Sequence, residues 1–237
     1  LQEPSTNSPF DPVAGEFFLV NKPLGWTSFD AVNKIRYLLK KKYKVKKIKV
    51  GHGGTLDPLA TGLLIIGSGS KTKELEGLAG RNKSYAGTIV LGATRPSYDM
   101  ETDVDANFSI DHITEAMVLE AAKSFEGEQM QTPPLFSAKK VDGKKAYVEA
   151  RKGNDLVIPP SLINITHFQI TAVQLPKVHF EVSCTKGTYI RSLAHDFGKA
   201  LNSGAYLSAL IRTESEPFKL HEAKSIEEWA AQINGTV

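Results

Sequence analysis

With 237 residues, 41% of them hydrophobic, the chain suits one large domain or two small ones and has apolar surface enough for a core, which excludes wholesale disorder. The net charge is only +3, and the single cysteine, Cys184, excludes an intramolecular disulfide and a cysteine-rich metal site. No apolar run approaches membrane-spanning length and no signal-peptide pattern opens the chain, so a cytoplasmic protein with no membrane partner is expected.

In chain order, residues 1–14, with prolines at 4, 9 and 12, read as a flexible leader. Phe17 to Val20 predicts a short apolar strand ending at Asn21-Lys22-Pro23. Thr27 or Ser28 can cap a following helix, with Asp30 in the first turn, where the dipole favours an acid. Phe29, Val32, Ile35, Leu38 and Leu39 fall on one helical face, so Arg36, Lys40 and Lys41 can point outward. Nine Lys or Arg lie between Lys34 and Lys49, with no acid from Ala31 to Leu56. Such segregated charge fits a phosphate-binding face as well as a solvated edge. Leu63 to Ile66 predicts a buried strand, Thr72 to Ala79 a helix, and the alternation from Lys83 to Gly92 a second strand. Asp111 to Phe125 is an amphipathic helix with Gly127 as its stop.

Residues 133–160 break the rhythm with four prolines, the basic pairs Lys139-Lys140 and Lys144-Lys145, and a short helix ending near Gly153. Strands follow at Ile163 to Gln174 and Val178 to Cys184, then helices at Tyr189 to Leu201 and near Ser225 to Ile233. Strands and helices mix without a regular βαβ rhythm, which predicts an α+β fold with a mixed sheet.

The chemistry concentrates in Gly51-His52-Gly53-Gly54-Thr55-Leu56-Asp57-Pro58-Leu59-Ala60-Thr61-Gly62. Asp57 is the first negative charge after the long basic approach. The glycines allow positive φ or close approach, and Pro58 disfavours the α region at Asp57, so a tight turn is expected. A lone carboxylate held there suits a nucleophile or base acting on a polyanion; taken by itself, an Asp before Pro is also an ordinary turn former. Gly67-Ser68-Gly69-Ser70-Lys71-Thr72 fails the phosphate-loop spacing, since Ile65 and Ser70 stand where glycines belong. Asp99, Glu101, Asp103 and Asp105 fail as a calcium loop because Val104 and Ile110 occupy its glycine and bidentate-acid positions.

The GHGGTLDPLATG stretch resembles the active-site motif of the TruB-type pseudouridine synthases, which isomerise a uridine in the T arm of transfer RNA. The similarity runs from Phe17 to Phe218 and includes Lys83-Ser84-Tyr85, Leu91-Gly92-Ala93-Thr94, Pro133 to Lys140, and Cys184 to Arg191, all in the family's order. It implies a pseudouridine-synthase fold over 15–237: a mixed, mainly antiparallel sheet, flanking helices and an RNA-gripping, thumb-like insertion at 131–160. Many relatives add a carboxy-terminal RNA-binding domain of PUA type, which this chain is expected to lack.

The resemblance assigns catalysis to three residues. Asp57 is the nucleophile, Tyr85 packs against the target base, and Arg191 pairs with Asp57. His52 stands beside the extruded nucleotide, Tyr189 lines the pocket, and Lys22 supports the site from the family's Lys-Pro motif. Lys139, Lys140 and Arg212 are expected to meet RNA. The T stem-loop is the implied partner, handled by a monomer without guide RNA, metal or cofactor. The sequence departs from the family at Gly53, at Phe136 in place of a frequent Tyr, at Arg95 to Tyr98 (leaving Asp99 to be carried over), and at Leu210 to Phe218, which keeps one Arg of an Arg-rich family segment and adds Glu214 and Glu216. A non-catalytic RNA-binding module on the same fold is the alternative, and a guide-RNA-dependent synthase the second. Asp57, Tyr85 and Arg191, all present, favour an enzyme.

Overall fold

The computed structural model describes residues 10–137, 139–141, 144–146 and 157–235; the side chains at 140, 141, 144 and 145 lie outside that description. The chain forms two compact units, the first from residues 1–81 and 212–237, the second from 82–211.

In the first unit, β1 (Phe17–Lys22) alternates buried residues with half-buried or exposed ones, and of the two caps expected at the next helix Thr27 is the one used, in a capping box. Thr27 accepts from the Asp30 amide, Asp30 accepts from Thr27, and α1 (Ser28–Tyr43) runs to Lys44, which stops it in the left-handed region at φ 50°. Its inward face is Ala31, Val32, Ile35, Leu38 and Leu39. Phe29 departs from the predicted face: it is 58% exposed. β2 (Val50–His52) and β1 both pair antiparallel with β3 (Ala60–Ser68), whose Leu63 to Ile66 are fully buried.

The helix predicted from Thr72 to Ala79 is instead a 3-10 turn at Gly69–Lys73 followed by the single turn α2 (Leu75–Ala79). Leu75 is the one buried residue of these two turns, too little apolar contact to carry a longer helix. Residues 10–14, expected to belong to a flexible leader, are instead fastened. Asp11 Oδ1 accepts from the Val13 and Ala14 amides, Ser68 Oγ donates to Pro12 O, and the Phe10 ring meets Phe18 edge-on at 6.0 Å.

The second unit opens with β4 (Lys83–Leu91), which buries Tyr85, Ile89 and Leu91 as the alternation predicts. Gly87 lies on the same face because a Cβ there would sit 2.7 Å from both Ala209 O and the Phe180 ring. Two short strands, β5 (Ala93–Thr94) and β6 (Ala106–Asn107), pair with each other. α3 (Glu115–Ser124) starts four residues later than predicted, because Thr114 takes the cap while Ser109 and Asp111 close a local turn. Gly127, at φ 103°, opens β7 (Gly127–Gln131) rather than capping the helix.

A small hairpin of β8 (Lys140–Val141) and β9 (Lys144–Lys145) falls within the expected thumb; the helix predicted near Gly153 lies outside the described residues. β10 (Ser161–Gln174), β11 (Lys177–Cys184) and α4 (Ile190–Ala200) follow close to prediction. β11 pairs with both β4 and β10, and β10 with β7, all antiparallel. Phe168 centres the core of this unit, meeting Phe197 at 5.6 Å and Phe180 at 5.7 Å.

The chain returns to the first unit along β12 (Ala205–Ser215), β13 (Phe218–Lys219) and α5 (Ile226–Asn234). Ser225 caps α5 in a second capping box. Trp229 meets Phe18 at 4.9 Å, and its indole N–H donates to Leu19 O at 2.9 Å. Two isolated bridges, Val20 with Lys224 and Asp99 with Leu207, run parallel, whereas the extended registers described are antiparallel. The α+β class with a mixed, mainly antiparallel sheet is the one expected.

Candidate active site

Asp57 lies half-buried between β2 and β3 in a loop whose main chain is fastened at several points. The Ser28 hydroxyl, at the start of α1, accepts from the Leu56 amide at 2.8 Å and donates to Leu56 O at 2.9 Å. The Gly25 amide donates to Pro58 O at 2.9 Å, and the Gly53 amide to Ile65 O at 2.9 Å. Of Gly51, Gly53 and Gly54, Gly54 is the one that uses positive φ, at 114°.

Beneath the loop lies Arg212, 1% exposed. Its Nε donates to Leu63 O at 2.7 Å, Nη2 to Gly54 O at 3.2 Å and Nη1 to Thr55 O at 3.4 Å. Expected above to meet RNA, Arg212 has no exposed face left for a phosphate and instead ties the loop to β3. Lys22 is likewise fully buried, and its ammonium donates to Trp26 O at 2.6 Å and Pro23 O at 3.0 Å. Burial lowers the Lys22 pKa to about 8, the Asp57 charge opposes that fall, and Arg212 adds to it. At neutral pH Lys22 therefore remains an ammonium.

That shift has a testable sign. An unfolded lysine titrates near 10.4, so between about pH 8 and that value the unfolded chain binds more protons and stability rises with pH. The unfolding free energy of the wild type, relative to Lys22→Met, is expected to rise by about 3 kcal/mol across this window. Urea titrations at pH 7, 8, 9 and 10 measure it, and a constant difference would show that Lys22 is not perturbed.

His52, at the end of β2, is kept neutral by burial, reinforced by the nearby Arg212 charge. It borders an open cavity of ≈ 510 Å³ together with Arg36, Lys49 and Leu75.

In the second unit, Tyr189 and Arg191 stand at the start of α4. Arg191 is 5% exposed; Nη1 donates to Ser97 O at 3.1 Å, Nη2 to Phe136 O at 3.0 Å, and Nε lies 3.6 Å from Asp99 Oδ2. Tyr98, between two of these anchors, holds a left-handed conformation at φ 63°. Its ring stacks on His195 at 3.9 Å and 10°, one helical turn beyond Arg191. Burial lowers the His195 pKa to about 4, so the stacked imidazole is neutral. Leu207 N donates to Tyr98 O at 2.9 Å, closing the clamp from the other side.

Tyr189, half-buried, caps α4 through its main chain, which exchanges two bonds with the Gln131 side chain at 2.8 and 3.1 Å. Tyr85 stands opposite Val182 in β4, 9% exposed. Lys139 donates to Ser161 Oγ at 2.7 Å and Pro159 O at 3.2 Å, fastening the base of the segment expected to grip RNA. The Lys140 side chain lies outside the described residues. Burial pushes the Cys184 thiol up to about 11, consistent with a core residue.

A sequence profile described as the TruB family pseudouridylate synthase N-terminal domain matches residues 40–190. The chain belongs to this family.

The TruB-family chain is 49% identical over 220 residues to the tRNA pseudouridine synthase B of Flavobacterium johnsoniae, covering 92% of this chain and 96% of that protein. It is 50% identical over 221 residues to the protein of the same name from Phocaeicola vulgatus, covering 92% and 94%. Among solved structures, it superposes on a chain of a Cbf5-Nop10-Gar1 complex with TM-score 0.71 and 27% identity, covering 95% of this chain and 57% of that one. For the archaeal box H/ACA sRNP Nop10-Cbf5 complex the TM-score is 0.67 and the identity 26%, with coverage of 93% and 54%. This chain thus spans little more than half the length of those solved chains. As a TruB-family protein it is a pseudouridine synthase, an isomerase. Among the described residues no group of three or more His, Cys, Asp or Glu side chains could hold a metal ion, and no helix is long and apolar enough to cross a membrane.

Proposed function

We propose that the protein converts a uridine in the T arm of transfer RNA to pseudouridine, with Asp57 as the nucleophile. The observation that carries this reading is the fastening of the Asp57 loop. Leu56, Pro58, Gly54 and Thr55 are all held through backbone atoms, which fixes the loop that carries the carboxylate. The names of the relatives at 49–50% identity support tRNA as the substrate.

The isomerisation breaks the C1′–N1 bond, turns the uracil and joins C5 to C1′; N1 gains a proton and C5 loses one. No net oxidation occurs, so no cofactor is called for. Asp57 supplies the electron pair, Arg191 orients and charges the carboxylate, and Tyr85 packs on the base, its hydroxyl near the proton transfer. The uridine leaves its stack at a cost of roughly a few kcal/mol, and the neutral His52 ring offsets part of that loss by stacking. Recognition rests on the folded shape of the arm and its unstacked bases, by a cytoplasmic monomer that needs no guide RNA.

The test is to incubate the purified protein with an unmodified T stem-loop transcript, without guide RNA or cofactor, and map pseudouridine at base resolution. One new pseudouridine in the loop is expected. No product, or product only on adding a guide RNA, overturns the assignment.

A further inference from the structure

We propose that the outward face of α1 is a second RNA-binding surface, which takes a stretch of the transfer RNA outside the T stem-loop. This rests on the reading of the protein as a tRNA enzyme. Opposite the buried stripe of Val32, Ile35 and Leu39, the helix presents Phe29, Asn33, Arg36, Tyr37, Lys40 and Lys41 at helical spacing. Phe29 and Tyr37 are each 58% exposed, and the Arg36 guanidinium lies 5.6 Å over the Phe29 ring.

An ordinary solvated helix mixes signs. Here the acid on the helix is Asp30, and its carboxylate is taken up by the Thr27 amide and hydroxyl in the cap. Two shallow cavities share Asn33 along this face. One, of ≈ 460 Å³, is bordered by Tyr37, Lys40 and Lys41, and the other, of ≈ 560 Å³, by Trp26, Lys34 and the capped Asp30. Aromatic faces interleaved with cations are what a polynucleotide strand requires: bases stack on the rings and phosphates meet the cations.

Position on the helix separates this surface from the catalytic loop. Ser28, at the first turn, holds Leu56 beside Asp57. At 1.5 Å per residue, Lys41 lies roughly 20 Å farther along the helix axis. RNA that spans both the carboxylate and this end of α1 extends several nucleotides beyond the flipped uridine.

The experiment compares full-length unmodified tRNA with the isolated T stem-loop in binding titrations over a range of salt concentrations. The variants are a combined Lys34→Gln, Lys40→Gln, Lys41→Gln protein and Tyr37→Ala. Arg36 is left intact because it also donates to Val50 O at 2.8 Å. The triple variant is expected to flatten the salt dependence for tRNA by about two units of log–log slope, as lost phosphate contacts release fewer counterions. Its stem-loop binding should stay unchanged. Tyr37→Ala is expected to weaken tRNA binding about tenfold with its slope preserved. An unchanged slope for tRNA, equal flattening for both RNAs, or unchanged affinity in Tyr37→Ala overturns the proposal. Turnover of the stem-loop by the wild type is scored separately, so failure of the enzymatic reading is told apart from failure of this one.

Discussion

Asp57→Asn is expected to lower single-turnover pseudouridine formation by at least about 10⁴-fold, the scale of loss when a covalent catalyst loses its nucleophile. The amide is nearly isosteric with the carboxylate but lacks its charge and its nucleophilic electron pair. The loop should not move, because Ser28, Arg212, Gly25 and Gly53 hold it through backbone atoms on either side of Asp57. RNA affinity should therefore stay within about tenfold, ~1.4 kcal/mol, with an unchanged melting temperature. Substantial turnover by the purified variant would remove Asp57 from the nucleophile's role.

The largest loss of stability is expected at Arg212. Arg212→Met keeps much of the stem's volume but leaves Leu63 O, Gly54 O and Thr55 O without the guanidinium. Each such bond to a charged donor is worth about 1.5–3 kcal/mol, and buried carbonyls left unpaired retain their desolvation cost. We expect a loss of about 3–5 kcal/mol, which for a chain of this size lowers Tm by roughly 10 °C. Turnover below the new Tm should fall with kcat, while KM for the stem-loop changes little, since Arg212 sits under the loop rather than on the RNA surface. A variant with wild-type Tm and a raised KM would restore Arg212 to a phosphate contact.

What the sequence made legible is what local chemistry dictates. The cap at the start of α1, its buried stripe, the alternation of β4 and β11 and the turn at Asp57-Pro58 all depend on neighbours within a few residues. β12 escaped because its pattern carries Arg212 and Ser215 at buried positions, where polarity masks the strand period. β7, Gly-Glu-Gln-Met-Gln, is a polar strand paired along one side with β10, and no apolar run announces it.

At the site, the motif singles out Asp57, but the supporting contacts are invisible to spacing. The Ser28 hydroxyl meets Leu56 across 28 positions, Arg212 reaches Leu63 across 149, and Arg191 meets Ser97 O across 94. The resemblance drew attention to Phe136 for its ring, whereas the contact described is made by its carbonyl with Arg191. The Tyr98–His195 stack had no sequence signal, because each residue taken alone is an ordinary surface choice.

The two-segment composition of the first unit sets an order on the protein's synthesis. Residues 82–211 emerge from the ribosome as one uninterrupted stretch and contain a complete unit. The Asp57 loop is translated earlier, yet Arg212, which fastens it, and Trp229, which caps the core beside Phe18, arrive only after the middle stretch. Contacts formed within the middle stretch shorten the effective loop that joins the two outer segments. A nascent chain stalled before residue 212 therefore carries the Asp57 loop without the Arg212 guanidinium that holds Gly54 O and Thr55 O.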